Sequence, residues 1–197
     1  MSDILDTDEY VVDSEFYMNK GSADYVVGAI PYQEDQIIVF NRRSVHMLAG
    51  IRNTSTAVHM EITRQYGCVS RKSIAQQGPF TYFLSDNGIY VLAPGYDPGK
   101  TGTAISISKV APLSEPLSRP INDVIDTVNF DDATIAKAAG VVHENKYFIA
   151  LPITDGTDQD CTIVMVYDLL LSAWVSKDTF PDGFVIDNFV VTSFGAG

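Results

Sequence analysis

The sequence predicts an all-β protein, in which antiparallel hairpins form a complete or partial set of propeller-like blades with one short helical segment. Two observations lead to this fold class. Short apolar runs of strand length alternate with turn residues along most of the chain. The resulting hairpins recur at intervals comparable with a propeller blade, which places four strands in roughly 40–50 residues. A β-sandwich or barrel with a helical insertion is the competing fold.

Three hairpins are the strongest elements of this pattern. Their strands are predicted at 36–40 with 44–48, at 80–84 with 89–92, and at 146–151 with 161–167. The second hairpin contains Asn87-Gly88 between two β-rich runs, and we expect both residues in the turn because both tolerate positive φ. The third hairpin has a longer polar connection, Thr154 to Asp160.

Weaker strands and one helix fill the intervals between the hairpins. β-Branched and aromatic residues favour strands at 25–30, 58–63, 73–76, 104–110 and 184–191, with a strand fragment at 15–17. Apolar residues at helical spacing predict at least one helical turn within 122–139, capped by Asn122 or Asp123 and ended by Gly140.

The chain divides into four regions on this basis. They are an acidic N-terminal segment (1–24), a propeller-type β region (25–111), a proline-rich linker with the short helix (112–140) and a second propeller-type β region (141–197).

Charge and hydrophobicity narrow the classes of function. The chain is 46% hydrophobic and can bury a core, yet no apolar run approaches the ~18 residues of a membrane helix, so we expect no membrane partner. A net charge of −12 argues against a tight grip on nucleic acid. Six of the 13 basic residues lie between Arg42 and Lys72. A solvated surface explains this asymmetry; a face that docks an acidic partner, opposite one that repels polyanions, is the alternative.

No set of residues carries the pattern of a catalytic or cofactor site. The histidines His46, His59 and His143 lie in separate strand-like runs, without a nucleophile elbow or a paired metal ligand nearby in sequence. The acidic loop from Asp155 to Asp160 lacks the distal Glu of a calcium loop, and Gly99 to Gly102 is a turn without a phosphate-binding pattern. The sequence therefore predicts no enzyme, no cofactor and no catalytic, cofactor-binding or metal-ligating residue.

Cys68, Cys161 and Trp174 are interpreted as structural residues. The two cysteines are far apart in sequence and are expected to be buried free thiols rather than a disulfide. Trp174 follows a predicted turn and enters a strand, which favours a role as a core anchor over a ligand platform.

Four phrases of the sequence follow one another in an order that carries a family resemblance. They are DQIIVFNRRSVHMLAG (35–50), YGCVSRKSIAQQGPFTYFLSDNGIYVLAP (66–94), AAGVVHENKYFIALPI (138–153) and CTIVMVYDLLLSAWVSKD (161–178). Together they resemble the propeller segments of phage tail nozzle proteins, the tubular tail and stabilisation proteins of short-tailed phages. The similarity spans roughly residues 25–194.

This resemblance implies a structural protein of the virion tail, assembled in the host cytoplasm. Such proteins form a homo-oligomeric ring below the portal and adaptor, contact other tail proteins and conduct the genome during ejection. They are longer than 197 residues and carry a further platform region. If the resemblance holds, this chain is a short relative, one half of a split protein, or part of a longer protein. The acidic composition suits this role, because a carboxylate-lined lumen repels duplex DNA and lets it pass without sticking.

Two other functions are compatible with the same fold. The aromatic fraction and the many acidic residues also suit a carbohydrate-binding or glycan-degrading propeller domain, whose sugar would contact Tyr or Trp residues. A cellular interaction scaffold that binds peptides is the third reading.

Overall fold

The computed structural model of the chain is built mainly from antiparallel β-sheets. It describes residues 2–3, 6–10, 21–33, 35–52, 57–94, 110–112, 116–154, 160–181 and 183–192. Within these residues there are three four-stranded sheets and one two-stranded pair, β1 (Ser2–Asp3) with β2 (Asp6–Tyr10). The prediction of a mainly antiparallel β protein with little helix is thus confirmed.

The first sheet follows the chain from strand to strand. It consists of β3 (Val26–Tyr32), β4 (Gln36–Asn41), β5 (Val45–Ala49) and β6 (Val58–Thr63), paired in that order. The predicted first hairpin and the two weaker strands on either side of it are confirmed. Alternate residues of these strands, such as Ile38 and Phe40, are fully buried on one face, as the two-residue period of a strand requires.

The second sheet has the same connectivity. Its strands are β7 (Ala75–Gln77), β8 (Phe80–Ser85), β9 (Gly88–Pro94) and β10 (Val110–Pro112). The strand expected at 73–76 is shifted, because a 3₁₀ turn occupies Arg71–Ser73 before β7 begins. Of the strand expected at 104–110, only residue 110 lies within the described ranges.

The turn of the second hairpin differs by one residue from its prediction. Ser85 pairs with Gly88, so the two central residues are Asp86 and Asn87. Gly88 has a φ of +121°, whereas Asn87 does not have positive φ. The Asn-Gly pair therefore supplies one left-handed residue at the start of β9 rather than both turn positions.

The third sheet has the longest strands, and its four strands also pair in the order of the chain. It consists of β11 (Ala139–His143), β12 (Lys146–Thr154), β13 (Asp160–Asp168) and β14 (Ala173–Thr179). The predicted third hairpin is confirmed, and its connection, 155–159, lies outside the described residues. The region predicted as linker and helix, 112–140, shares Pro112 with β10 and residues 139–140 with β11.

The second sheet is packed between the other two. Phe83 and Tyr90 of its central hairpin join the core formed with the first sheet, and the Phe83 ring lies 5.1 Å from that of Phe40. Leu84 and Val91, which point to the opposite face, join the core formed with the third sheet. Both faces of this hairpin are therefore buried, which explains why its sequence is continuously apolar rather than alternating.

The predicted helix is interrupted. Residues 122–139 contain two single-turn helices, α1 (Asn122–Ile125) and α2 (Asp132–Ile135), whose N-cap residues are Ile121 and Asp131. Between them Val128 forms a β-bridge with Ile153, and this pairing to the third sheet breaks the helical ladder. The expected terminator, Gly140, lies in β11 instead.

The strand predicted at 184–191 is wrong. Residues 184–192 have no regular secondary structure and lie across the third sheet. Phe180, Ile186 and Phe189 pack on its outer face against Val164 and Val166. The spacing of three residues between Ile186 and Phe189 does not match the period of two that a strand would need, so the segment covers the sheet without joining it.

The expected strand fragment at 15–17 lies outside the described residues.

Gly88 provides a test of the corrected turn. A Cβ at this position would overlap the hydroxyl of Ser118, which accepts a hydrogen bond from the Ile89 amide, and the φ of +121° would be strained. We expect Gly88→Ala to lower the free energy of unfolding by about 3 kcal/mol, measured by urea denaturation. Gly78→Ala is the matched control, because Gly78 has positive φ but open space around it, and should cost only about 1 kcal/mol. Equal losses in both variants would contradict the account.

Candidate functional site

Two of the three histidines lie side by side in the first sheet. His46 on β5 is fully buried, and its Nδ1 lies 3.0 Å from Nε2 of His59 on β6. His143 lies on β11 of the third sheet and is exposed. The sequence did not pair His46 with His59, because the register that brings β5 and β6 together is set by the fold.

A chain of hydrogen bonds runs through this histidine pair. The Ser44 hydroxyl lies 2.5 Å from Oδ2 of Asp24 and 2.8 Å from Nε2 of His46. A hydroxyl has one proton, so with Ser44 donating to the carboxylate, His46 must donate from Nε2. His46 Nδ1 then accepts from Nε2 of His59. The network therefore selects one neutral tautomer of His46.

This network is suited to holding structure rather than to nucleophilic catalysis. Ser44 is only 1% exposed, so its hydroxyl cannot reach a substrate. Asp24 also accepts a 2.7 Å hydrogen bond from the backbone N–H of Arg43. The carboxylate thus fastens the segment before β3 to the β4–β5 turn. Burial, with a smaller effect from His59, lowers the pKa of His46, which stays neutral near pH 7.

Cys68 is buried and unreactive. Its thiol donates to the Ser70 carbonyl at 3.1 Å, and burial raises the pKa of the thiol to about 12. The thiolate needed for nucleophilic or redox chemistry is therefore absent at neutral pH. The prediction of a free thiol is confirmed for Cys68, while the side chain of Cys161 lies outside the described part of the structure.

A cavity of about 510 Å³ opens between the second and third sheets. We call it the aromatic cavity, because the rings of Phe80, Tyr82 and Tyr167 line it. Gln77 and Asn145 also line it and are joined by a 2.9 Å hydrogen bond from Nε2 to Oδ1. The cavity lies at the end of the sheets that carries the β7–β8, β11–β12 and β13–β14 turns.

Trp174 lies next to this cavity, and both its indole N–H and its ring are in contact with other residues. Its indole N–H donates to the Leu117 carbonyl at 3.0 Å, and its ring meets that of Tyr167 edge to face. Trp174 also lines a second cavity of about 520 Å³. The predicted role as an anchor fits these contacts, since the residue joins β14 to the segment between the sheets.

Exposed carboxylates collect at the opposite end of the sheets. Asp86 in the β8–β9 turn forms an ion pair with Arg42, with 2.6 Å between Oδ2 and Nη1. Nη2 of the same guanidinium lies 3.4 Å from Oδ1 of Asp132 in α2. Asp126 shares with Asp86 a cavity of about 400 Å³. We call this surface the acidic end and define it by the exposed residues Asp86, Asp123, Asp126, Asp131 and Asp132.

The described residues contain no group of three or more His, Cys, Asp or Glu side chains that could hold a metal ion. The acidic loop considered as a calcium site, 155–160, lies almost wholly outside those residues. None of the described helices has the length and hydrophobicity needed to span a bilayer. The aromatic cavity was missed from the sequence because its lining residues come from strands, turns and a connecting segment that are far apart in the chain.

Comparison with known proteins gives no assignment, since no protein-family model and no curated protein matches the chain.

The neutral state of His46 has a measurable consequence. Because the pKa of His46 is lowered in the folded protein, the unfolded chain takes up a proton near pH 6.5 that the folded protein does not. This contribution to stability is present above about pH 6.5 and is lost as the pH falls. We measure the free energy of unfolding by denaturant titration between pH 5 and 8. As the pH is lowered, we expect this free energy to fall less steeply in His46→Gln than in the natural sequence. His143→Gln is the control, because His143 is exposed, and identical slopes in all three proteins would contradict the burial argument.

Proposed function

We propose that the chain is a non-enzymatic structural subunit of a phage tail nozzle or adaptor, and that its three sheets are neighbouring propeller blades. The observation that carries this proposal is the arrangement of the sheets. Each is a four-stranded antiparallel meander in sequence order, and the three pack face to face. Blades of a propeller have this connectivity and this stacking.

The edges of the sheets support the same proposal. The opening strands lie beside one another. A Cβ at Gly28 of β3 would lie 3.0 Å from the side chain of Arg71 and 3.3 Å from that of Ile74, just before β7, and β7 in turn contacts β11. The closing strands β6 and β10 also meet. Neighbouring blades of a propeller likewise place their innermost strands together. A closed propeller has about four to eight blades, so the proposal requires further blades from elsewhere in the chain or from neighbouring subunits.

Exposed apolar side chains favour assembly into a ring. Val190 and Val191 are 79% and 51% exposed on the segment that covers the third sheet, and Leu170 and Leu171 are 78% and 70% exposed on the β13–β14 turn. Exposed apolar side chains are costly to leave in water, and neighbouring ones are typical of contact surfaces. We propose that a neighbouring subunit covers them.

The acidic end supports a role in passing DNA. Its five carboxylates are exposed, and of these Asp86 and Asp132 are paired with Arg42. In a chain of net charge −12, such a surface repels the phosphate backbone at distances up to about one Debye length, ~8–10 Å. We propose that this end faces the channel of the ring, where repulsion prevents the duplex from adhering.

The proposed assembly predicts a defined oligomer. We expect light scattering after size exclusion to give a single mass several times that of the 21.6 kDa chain, and electron microscopy to show rings. Leu170→Asp with Val190→Asp should shift the population to monomers, because charges would be buried in the contact. Lys177→Asp, on the exposed strand β14, is the control. A strictly monomeric protein that is absent from purified particles would end the proposal.

The electrostatic role of the acidic end predicts a gain in DNA adhesion when its charge is removed. Asp123→Asn with Asp126→Asn should raise the affinity for duplex DNA about tenfold at low salt, as measured by gel retardation. Glu144→Gln with Asp178→Asn removes the same charge elsewhere and should have little effect. If both pairs change the affinity equally, only the net charge matters and the acidic end has no special role.

A further inference from the structure

We propose that the aromatic cavity binds a neutral saccharide. This inference is independent of whether the sheets belong to a closed propeller. One residue that lines the cavity, Leu170, also belongs to the surface that we propose a neighbouring subunit covers. The inference rests on three properties of the described lining residues: an exposed aromatic ring beside two fixed and mostly buried rings, an amide oxygen that lacks a hydrogen-bond donor, and the absence of charge.

The aromatic faces are held in place from behind. Tyr82 stacks on the fully buried ring of Tyr147, with centroids 5.1 Å apart and planes 24° from parallel. Tyr167 is fixed by its edge-to-face contact with Trp174. Phe80, at the entrance, is 42% exposed. Tyr82 and Tyr167 are only 7% and 9% exposed, so Phe80 supplies most of the aromatic surface that a ligand can reach. An aromatic surface gives apolar contact with little loss of side-chain freedom on binding, and the C–H face of a sugar ring is a flat apolar partner.

The polar groups of the cavity need a hydroxyl donor. Gln77 uses its amide nitrogen on Asn145, which leaves its Oε1 buried and without a hydrogen-bond partner among the residues that the structure describes. A buried acceptor without a donor is destabilising. Sugar hydroxyls both donate and accept, and they match the planar amides of Gln77 and Asn145 and the hydroxyl of Ser172, which also lines the cavity.

Charge and size restrict the ligand further. None of the described residues that line the cavity is ionised at neutral pH, although the chain as a whole has a net charge of −12. An anionic sugar or a phosphate would find no cation there and would be repelled by the protein. The volume of about 510 Å³ lies within the ~300–1,000 Å³ of small-molecule sites. The site is proposed for binding only, because glycoside hydrolysis needs a pair of carboxylates.

The test is a titration of the 197-residue chain with neutral trisaccharides of glucose, mannose, galactose and N-acetylglucosamine. Calorimetry measures binding, and the fluorescence of Trp174, the only tryptophan, reports on the neighbouring Tyr167. A trigalacturonate and a decaproline peptide are the competing probes, since an acidic sugar tests the charge argument and proline-rich peptides also dock on aromatic grooves.

Variants link the binding to this cavity. Phe80→Ala removes an exposed ring without opening the core and should weaken binding about tenfold. Gln77→Leu removes the unpartnered amide oxygen and should weaken binding as well. Tyr25→Ala is the matched control, because Tyr25 is 55% exposed and precedes the first sheet, and it should bind as the natural sequence does.

Binding of at least one neutral trisaccharide, weakened by both cavity variants and unchanged in the control, would support the proposal. It would be overturned if no neutral trisaccharide binds at millimolar concentration, if trigalacturonate binds equally well, if only the peptide binds, or if Phe80→Ala leaves the affinity unchanged.

Discussion

The whole structure depends on one short segment, residues 67–73, which forms hydrogen bonds to all three sheets. The Cys68 amide donates to the Asn41 carbonyl at the end of β4, and the Val69 amide donates to the Leu84 carbonyl of β8. The Ser70 hydroxyl donates to the Ala138 carbonyl just before β11, at 2.7 Å. Because sheets packed by apolar faces alone could slide, these directional bonds are what set their relative positions.

Residues 67–70 and Ser73 of this segment are buried, and the serine hydroxyls among them are hydrogen-bonded. The Ser73 hydroxyl donates to the Ser70 carbonyl and accepts from the Leu84 amide, while the fully buried Tyr147 hydroxyl donates to the Ser73 carbonyl at 3.0 Å. Burial raises the pKa of Tyr147 well above its usual value, so this donor keeps its proton. Two glycines allow the close approach. A Cβ at Gly67 would overlap the backbone of Arg42, and one at Gly140 would lie 2.9 Å from the Ser73 carbonyl oxygen.

The sequence predicted the hairpins well, because apolar runs and turn residues are local signals. Its prediction of at least one helical turn within 122–139 is also confirmed, but the caps and the end of the helix were wrong, because Val128 pairs with Ile153 of the third sheet and divides the segment into two single-turn helices. It failed where tertiary contacts decide the outcome. Residues 184–191 have strand-like composition, yet Ile186 and Phe189 pack flat on the third sheet. Local propensity was overridden in both cases by burial against a neighbouring sheet.

The sites were less predictable than the fold, since each is assembled across elements. His46 and His59 lie on different strands, and their contact depends on the β5–β6 register. Gln77 and Asn145 meet only because the second and third sheets pack together. The spacing of residues along a single sequence cannot predict either of these contacts. The exposed acids were evident as a composition, but their concentration at one end appears only when α1, α2 and the β8–β9 turn are placed in space.

Native-state hydrogen exchange tests most directly whether residues 67–73 make the three sheets one unit. The account predicts that the amides of Phe40, Tyr82 and Ile149, each from a central strand of one sheet, exchange with the same free energy of opening. It also predicts that Ser73→Ala lowers all three values together. If the amides of one sheet exchange with a clearly smaller free energy, or if the substitution affects the second sheet alone, the sheets are held together by something other than this segment.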